Sequence, residues 1–129
     1  MFNYETYLKQ VDSLSFEEAL DLYNAIYQDL ETDNQDLHEL WGDTIDAALD
    51  YVQMRTKWNF MDMGERMTAD STRTNLHNQF MSCLTIFSRE CAQLNLDISW
   101  IEKLGPTTQR KRWGDFAGYI LCFENLKAR

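Results

Sequence analysis

The sequence predicts an all-α fold, a single compact bundle of about five helices plus one short helix. The chain has only one proline and five glycines among 129 residues, which leaves few breaks of the kind that hairpins need. Apolar residues also recur with helical spacing through most of its length. Hydrophobic residues make up 44% of the sequence and no linker or repeat divides it, so we predict one helical domain over residues 1–129.

The N-terminal part of the chain contains two predicted helices. Residues 2–11 form a short first helix whose apolar side chains face inward. Ser15 and Glu18 have the spacing of a capping box, in which each side chain accepts a hydrogen bond from the backbone N–H of the other. The second helix therefore begins after Ser15 and runs to about Thr32. Its inward positions are Phe16, Ala19, Leu20, Tyr23, Ile26, Tyr27 and Leu30.

The third predicted helix begins at a cap on Asp33 or Asn34 and continues to about Met61. It carries five acidic residues spaced 3, 4, 3 and 4 apart, which fall within an arc of about 80° on an α-helix. We call them the acidic row: Asp36, Glu39, Asp43, Asp46 and Asp50. Neighbouring like charges in such a row cost roughly 0.2–0.5 kcal/mol each in an isolated helix. The row is therefore a candidate interaction surface, since a basic group opposite it would relieve this repulsion.

A loop over residues 61–68, which contains Gly64, is predicted to separate the third helix from the fourth. Asp70 or Ser71 caps the fourth helix, and Asn95 ends it. Its core positions keep helical spacing throughout: Leu76, Phe80, Cys83, Leu84, Phe87, Cys91 and Leu94.

The C-terminal part of the chain contains a short helix and a long one. Ser99 and Glu102 repeat the capping-box spacing and open the short helix, which the Gly-Pro pair at 105–106 ends. The last helix then starts at Thr107 or Thr108. Its predicted buried side consists of Trp113, Phe116, Ala117, Ile120, Phe123 and Leu126.

The start of the last helix carries three consecutive cations, Arg110, Lys111 and Arg112. Cations at a helix N-terminus oppose the macrodipole, so we expect acids or an anionic ligand close by. Pairing with Asp115, Glu102 or the acid-rich half of the chain is the simpler interpretation, and a bound anion is the alternative. The three cations are therefore a candidate basic or anion-binding patch.

Two further features of the C-terminal half have structural interpretations. Gly114 and Gly118 are four residues apart on one face of the last helix, which predicts the close approach of a neighbouring helix. His77 lies among polar residues at the start of the fourth helix, where capping and surface hydrogen bonds explain it most simply.

Charge is divided unevenly along the chain. Residues 1–69 contain 4 Lys+Arg and 15 Asp+Glu, a net of −11, and residues 70–129 contain 8 and 6, a net of +2, which together give the −9 of the whole chain. We therefore expect the acidic row to be neutralised by the basic half of the fold or of a second copy, or to remain solvated. An unneutralised row would instead resemble a phosphate backbone and fit the basic groove of a nucleic-acid-binding partner. A third interpretation treats Asp36, His38, Glu39 and Asp43 as metal ligands.

Several classes of function have no support in the sequence. The net charge of −9 argues against direct binding to nucleic acid or to an anionic membrane surface. The sequence contains no signal-like N-terminus and no run of about 18 apolar residues, so we expect neither export nor a membrane span, and a cytoplasmic location. We interpret Cys83, Cys91 and Cys122 as buried reduced thiols. Since no metal, nucleotide or nucleophile motif stands out, we predict no cofactor and no catalytic residue.

The segments RTNLHNQFMSCLTIFSRE, DISWIEKLG and RKRWGDFAGYILCFENLKAR give residues 70–129 a resemblance to a family of small uncharacterised proteins from Gram-positive bacteria. The shared pattern is Trp-x-x-Lys-Leu-Gly followed by Arg-Lys-Arg-x-Gly-Asp-Phe-Ala. The residues that match it are Trp100, Lys103, Leu104, Gly105, Arg110, Lys111, Arg112, Gly114, Asp115, Phe116 and Ala117. Trp113 and Gly118 depart from it, the first standing for a smaller aliphatic residue and the second for a larger one. The family is described only as a domain of unknown function, so the resemblance implies no activity.

These observations together predict a cytosolic, non-catalytic protein-interaction or regulatory module that binds an unidentified protein or a second copy of itself. An acidic inhibitor that imitates nucleic acid is the most specific form of this prediction. The alternative is a metal- or small-ligand-binding helical bundle, which includes the case of an enzyme. That alternative predicts an interior cavity lined by His38 or His77 together with several acids.

Overall fold

A computed structural model describes residues 7–127, and these residues contain five α-helices and no β-strand. The predicted all-α class is confirmed. The helices are α1 Phe16–Leu30, α2 Gln35–Trp58, α3 Met63–Gln93, α4 Ser99–Leu104 and α5 Arg110–Lys127. Residues 2–6 of the predicted first helix lie outside the described residues, and of its remainder Tyr7 and Leu8 are helical.

Side-chain caps begin α1 and α2 where the sequence predicted them. At α1, Ser15 Oγ accepts a hydrogen bond from the Glu18 N–H at 3.1 Å and Glu18 Oε1 accepts one from the Ser15 N–H at 3.3 Å, so the capping box is confirmed. At α2, Asn34 Oδ1 accepts from the Leu37 N–H at 3.1 Å. Each cap satisfies N–H groups that have no carbonyl partner within the helix and contributes about 1 kcal/mol.

The predicted loop over residues 61–68 is wrong, because α3 begins at Met63. Asp62 and Glu65 form a second capping box, with Asp62 Oδ1 accepting from the Glu65 N–H at 2.8 Å and Glu65 Oε1 accepting from the Asp62 N–H at 3.1 Å. This double cap offsets the helix-breaking tendency of Gly64, which is about 1 kcal/mol in a helix interior. The predicted cap at residue 70 or 71 therefore falls within the helix.

The predicted capping box at the start of α4 is also wrong. Ile98 occupies the N-cap position without a side-chain hydrogen bond, and Asp97 Oδ1 accepts from the Ser99 N–H at 2.9 Å. The predicted end of this helix is confirmed, because Gly105 follows it with a φ of 101°, a left-handed conformation that favours glycine. The last helix begins two to three residues later than predicted, at Arg110.

The core lies between the five helices. α2 and α3 pack along one another as a hairpin joined by residues 59–62, α5 packs against α2, and α1 covers α5 and α4. Aromatic rings meet at the centre, where the ring centroid of Trp41 lies 5.3 Å from that of Phe87 and 6.5 Å from that of Tyr23. The ring of Tyr23 in turn lies 4.9 Å from that of Phe123. One apolar cluster therefore holds the helices together, and α4 contributes Trp100 and Leu104 to it.

Most of the predicted core positions are buried or half-buried, but three near helix ends are exposed. Phe16 is 51% exposed, Leu126 53% and Leu94 38%. Phe16 is the first residue of α1, and the other two lie at the ends of α5 and α3, where the apolar stripe of a helix continues beyond its neighbours. Of the cysteines, Cys91 is buried, whereas Cys83 and Cys122 are only half-buried, which corrects the expectation for those two.

Gly114 and Gly118 on α5 are buried against tyrosine side chains. A Cβ atom on Gly114 would lie 2.7 Å from the hydroxyl oxygen of Tyr51, and a Cβ atom on Gly118 would overlap the ring of Tyr7. The predicted close approach is therefore confirmed. Its partners are the side chain of Tyr51 on α2 and that of Tyr7, which is helical and precedes α1.

Candidate anion-binding site

The acidic row lies on the outer face of α2, and all five of its side chains are exposed. Residues between them on the inner face are buried, among them Leu37, Trp41, Thr44, Ala48 and Tyr51. The helix therefore presents its carboxylates to solvent and its apolar face to α3 and α5, as the sequence predicted.

The acidic row has no ion-pair partner among the described residues. Four ion pairs occur there: Arg55–Asp115, Arg73–Asp70, Lys111–Asp12 and Arg112–Glu18. The predicted neutralisation of the row within the fold is therefore not found in residues 7–127. The reason is that the start of α5 faces the segment before α1 and the first turn of α1, so that two cations of the basic patch pair there.

Arg112 donates four hydrogen bonds, three to backbone carbonyl groups and one to a carboxylate. Its Nε donates to the carbonyl oxygen of Leu104 at 2.8 Å and its Nη1 to that of Ser13 at 2.9 Å. Its Nη2 donates to the carbonyl oxygen of Lys103 and to the Glu18 carboxylate, both at 3.1 Å. Two of these acceptors are carbonyl groups at the end of α4 that lack partners within the helix. Arg112 therefore holds the end of α4 and the segment before α1 against α5. Only Arg110 and Lys111 of the predicted patch remain as binding groups.

Arg110 and Lys111 line a pocket of about 400 Å³ together with two further cations, Arg55 and Arg73. Seven side chains line it: Tyr51 and Arg55 from α2, Arg73, Thr74 and His77 from α3, and Arg110 and Lys111 from α5. Within the described part of the chain, none of the lining residues is a carboxylate. Four positive charges from three helices therefore meet around one cavity in a chain whose net charge is −9.

Arg55 is held in place by a buried polar network. Its Nη1 donates to Asp115 Oδ1 at 2.8 Å and to the Tyr7 hydroxyl oxygen at 3.0 Å. The buried Asp115 carboxylate also accepts from the backbone N–H of Ser13 at 3.1 Å and from the Ser13 hydroxyl at 2.5 Å. Because Asp115 is paired and hydrogen-bonded on both oxygens, its burial is compensated and the position of the Arg55 guanidinium is fixed.

His77 forms a buried part of the pocket wall and is 5% exposed. Its Nε2 lies 2.8 Å from the carbonyl oxygen of Arg110, and since a carbonyl only accepts, the ring proton is on Nε2. Nδ1 is then an acceptor, and it is buried without a partner in the described structure. Burial lowers the pKa of His77 below its ordinary value, and the surrounding arginines lower it further. The expectation of a surface histidine is wrong, because the start of α5 covers the ring.

Arg73 provides a second buried atom without a partner. Its guanidinium carbon lies 4.3 Å from the ring centroid of Trp58, and its Nη2 is 3.4 Å from Asp70 Oδ1. Its Nε is buried and has no hydrogen-bond acceptor within residues 7–127. An unsatisfied buried polar atom costs about 1–3 kcal/mol, so Arg73 Nε and His77 Nδ1 each weaken the fold by an amount of this order.

Arg110 and Lys111 stand at the exposed rim of the pocket. Arg110 Nη1 donates to Asn78 Oδ1 at 2.9 Å, and Lys111 forms its ion pair with Asp12. The Lys111 side chain is 53% exposed and that of Asp12 is 70% exposed, so this pair is solvated and weak. These two cations can therefore turn toward a ligand with little loss of existing interaction.

The sequence does not predict four residues of this site: Tyr51, Arg55, Arg73 and Thr74. One signal was available, because Tyr51 and Arg55, like Arg73 and His77, are four residues apart and so share a helix face. That spacing does not show that the two faces meet across the α2–α3 hairpin, which depends on where α3 begins.

Comparison of the chain with models of protein families, with curated proteins and with solved structures finds no match in any of the three. The resemblance of residues 70–129 to a Gram-positive family therefore stays a prediction. In residues 7–127, no helix combines the length and apolar character needed to cross a bilayer. Within the same residues, no three His, Cys, Asp or Glu side chains are grouped so that they could hold a metal ion, and this includes the proposed set on α2.

Proposed function

We propose that this protein is a non-catalytic binding module that holds an anionic ligand in the pocket between α2, α3 and α5. The observation that carries the proposal is the convergence of Arg55, Arg73, Arg110 and Lys111 on one cavity without an acidic residue in its lining. Three of these cations already have an ion-pair partner outside the pocket lining, Arg55 with Asp115, Arg73 with Asp70 and Lys111 with Asp12. The last two pairs are exposed and weak, so an anion in the pocket would still be attracted by the surrounding cations.

The donors of the pocket fit binding rather than catalysis. Arginine does not lose its proton in proteins, so three of the four cations can donate hydrogen bonds but cannot act as bases. Burial raises the pKa of Tyr51, so its hydroxyl also stays protonated at neutral pH. A pocket of about 400 Å³ is within the size range of small-ligand sites.

The proposal is tested by measuring how much simple anions raise the Tm of the wild type and of variants that each lack one pocket cation. Sulfate and phosphate should raise the Tm of the wild type, since a ligand that binds only the folded state at a hundredfold excess over its Kd adds about 2.7 kcal/mol. Arg73→Gln and Arg110→Gln should weaken this effect at least tenfold. Arg89→Gln removes an exposed cation from α3 outside the pocket and should leave it unchanged.

Equal anion responses in the wild type and in both pocket variants would place the effect elsewhere on the surface and would overturn the proposal. The ionic strength must be matched with a chloride salt, because screening alone changes the stability of a chain with a net charge of −9.

A second candidate function is the binding of a basic partner along the acidic row. The specific observation in its favour is that all five carboxylates are exposed and that none forms an ion pair in the described structure. The partner is either another protein, including one that binds nucleic acid, or a second copy of this chain, and we propose the cytoplasm as the compartment. Contact through exposed charges weakens as salt rises.

Changing Asp43 and Asp46 together to Asn tests this second candidate. We expect the double variant to lose any association that the wild type shows at low salt, measured as mass in solution and as retention of host proteins. Asp21→Asn with Glu31→Gln removes two exposed charges from α1 and its end and should have no such effect. Association that resists high salt would contradict the candidate.

A further inference from the structure

We propose that two copies of this chain associate through the start of α3, in a two-fold dimer that buries the apolar surface at the end of the α2–α3 hairpin. We call this surface the hairpin tip and define it by Trp58, Phe60, Met63 and Met67. The inference does not depend on the proposed anion site or on the acidic row. It rests on the exposure of the tip, on its local charge balance and on the order of charges along α3.

The hairpin tip contains the most exposed large apolar side chains of the described residues. Phe60 is 86% exposed, Met63 80% and Met67 76%. The two methionines line a groove of about 360 Å³ together with Trp58, Arg66 and Asp70. Contiguous exposed apolar surface of this kind marks interaction sites in globular proteins. Aromatic residues, methionine and arginine are also the types enriched at protein–protein interfaces.

The tip is exposed because α3 is longer than α2. The first has 31 residues and the second 24. Ring contacts fix how the two helices align, and they join Trp41 to Phe87 and Tyr51 to His77. The same alignment places Trp58, the last residue of α2, opposite Asp70. The first two turns of α3 therefore have no residue of α2 opposite them, and their outward apolar side chains stay uncovered by it.

Local charge favours a second copy as the occupant of the tip. Residues 55–73 contain four Lys+Arg and three Asp+Glu, a net of +1, so the rest of the chain carries −10 of the −9 total. Two copies therefore repel one another over most of their surfaces, whereas two tips can meet without this penalty. A basic partner would instead be attracted to the acidic row.

The acidic rows of the two copies do not oppose contact at the tip. The nearest member of the row, Asp50, lies eight residues before Trp58 on α2. This separation is about 12 Å along the helix, which exceeds the Debye length of about 8 Å at physiological ionic strength. Most of the repulsion between the rows is therefore screened.

The charges at the start of α3 are self-complementary. Met63, Arg66, Met67 and Asp70 fall within an arc of about 100° on an α-helix, so they share one face. Antiparallel packing of two such faces about a two-fold axis near Thr68 places Arg66 of each copy opposite Asp70 of the other. The two Met67 side chains then meet near the axis. Two-fold contacts between identical surfaces are the commonest kind in homo-oligomers.

Both charged groups are available for this pairing. Arg66 Nε donates to the carbonyl oxygen of Trp58 at 3.1 Å, and its guanidinium carbon lies 5.6 Å from the centroid of the same ring system. Arg66 belongs to none of the ion pairs within residues 7–127. Asp70 pairs with Arg73 at 3.4 Å, and its side chain is 60% exposed. That pair is solvated and weak, so the carboxylate can accept a second cation with little loss.

Sedimentation equilibrium of the whole chain over a hundredfold range of concentration tests the inference. The contact involves the first two turns of α3 and the end of α2, whereas a stable interface uses roughly 20–30 residues a side. We therefore expect a reversible dimer that forms as the concentration rises and dissociates on dilution. The measured mass should approach twice the mass of the chain and should not exceed it, because a two-fold contact is closed.

Charge reversal at the two opposed positions is the most specific test. Arg66→Asp places a carboxylate opposite Asp70 of the other copy, and Asp70→Arg places two cations together, so each variant should dimerise at least tenfold more weakly than the wild type. An equal mixture of the two variants should restore the dimer, because each contact then joins opposite charges. Arg89→Asp changes the net charge as Arg66→Asp does, at an exposed position farther along α3, and should dimerise like the wild type.

The apolar part of the contact is tested by Met67→Gln, which should also weaken the dimer at least tenfold. Ile86→Gln is the matched control, because Ile86 is a 45% exposed apolar residue of α3 away from the tip, and it should have no effect. Both changes are at exposed helix positions, and thermal unfolding at a concentration where the wild type is monomeric checks that the fold is kept. Met67→Gln and Asp70→Arg decide even if Arg66→Asp does not fold.

The inference is overturned if the wild type stays monomeric over the whole range. It is also overturned by a dimer that Met67→Gln and both charge reversals leave unchanged, since that dimer forms elsewhere on the surface. If the double change of Asp43 and Asp46 to Asn abolishes such a dimer, the contact belongs to the acidic row. The anion response of the pocket is measured separately with Arg110→Gln, so the failure of one proposal does not decide the other.

Discussion

The ring nitrogen Nε2 of His77 lies 2.8 Å from the carbonyl oxygen of Arg110, so a buried side chain of α3 is tied to the first residue of α5. This hydrogen bond fixes the tautomer of the ring and directs its acceptor nitrogen away from the helix start. It also positions Arg110, whose side chain reaches Asn78 on α3. The rim of the pocket is therefore built by contacts between α3 and α5.

Stability should fall in mildly acidic solution because of His77. Its folded-state pKa is lowered by burial, so the native state binds fewer protons than the unfolded chain below the ordinary pKa of about 6.5. The free energy of unfolding should therefore decrease as the pH falls from about 6.5 through the lower folded value. Urea unfolding at pH 7.5 and 5.5 measures this loss, and His77→Asn should show a smaller one. Equal losses in the two proteins would contradict the assignment.

Asp115→Asn should destabilise the fold strongly. The substitution leaves the Arg55 charge, whose side chain is 18% exposed, without its buried partner, and loss of one partner of a buried pair costs about 3–5 kcal/mol. Asp70→Asn is the matched control, because its pair with Arg73 is exposed and should change stability by no more than about 1 kcal/mol. Denaturant unfolding of both variants measures the difference. A loss below about 1 kcal/mol for Asp115→Asn would show that the network is not needed.

The elements of this fold could be predicted where local chemistry decides them. Ser15 and Asn34 cap their helices through hydrogen bonds within four residues of sequence, and periodicity showed which face of α2 is buried. The predicted start of α3 is wrong because Gly64 favours a break only where no cap compensates for it. Asp62 and Glu65 also have the spacing of a capping box in the sequence, and this cap offsets the glycine.

The candidate site could be predicted only in part, because it depends on how helices meet. The cations at the start of α5 drew attention as a run in the sequence, and Arg110 and Lys111 do line the pocket. Arg55 and Arg73 stand alone in the sequence and gain their role from the α2–α3 hairpin. Arg112 belongs to the same run but donates hydrogen bonds to backbone carbonyl groups instead of lining the pocket. The sequence does not show this difference, because it depends on how α4 and α1 pack on α5.

Asp29→Asn should stabilise the protein at neutral pH. Asp29 is 5% exposed, and its Oδ2 accepts no hydrogen bond of normal geometry within the described residues. The Trp100 indole and the Cys91 thiol interact with this carboxyl and lower its pKa, but burial has the larger effect. Burial raises the pKa of this carboxyl, so the native state holds its proton more tightly than the unfolded chain does. The stability that the protein gains from holding this proton is therefore present at low pH. It is lost as the pH rises through the pKa of Asp29 in the folded state.

The amide of asparagine removes the buried charge, and we expect a gain of roughly 1 kcal/mol at pH 7.5 that vanishes at pH 3. Asp21→Asn changes an exposed acid on the same helix and should give neither effect. Thermal unfolding of the three proteins at both pH values is the measurement. If Asp29→Asn were instead less stable than the wild type at pH 7.5, a partner in the folded protein would have to stabilise the carboxylate.

Two glycine-to-alanine substitutions should have opposite effects. At Gly118 of α5 the new methyl group would overlap the ring of Tyr7, and overpacking of this kind costs typically 1–3 kcal/mol. At Gly42 of α2 nothing lies within 4 Å of an added Cβ, so alanine should stabilise the helix by roughly 0.5–1 kcal/mol. Both are helix positions, so helix propensity favours alanine equally and the difference between the variants reports the Tyr7 contact alone.

Denaturant unfolding of both variants, together with the double variant Gly118→Ala with Tyr7→Leu, measures that contact. The second change removes the ring that the methyl group would meet, so Gly118→Ala should cost less in its presence than in the wild type, a coupling of at least 1 kcal/mol. If Gly118→Ala were as stabilising as Gly42→Ala, Tyr7 would not lie against α5. The segment before α1 would then be held there by Arg112 and Asp115 through Ser13, with no contribution from the tyrosine ring.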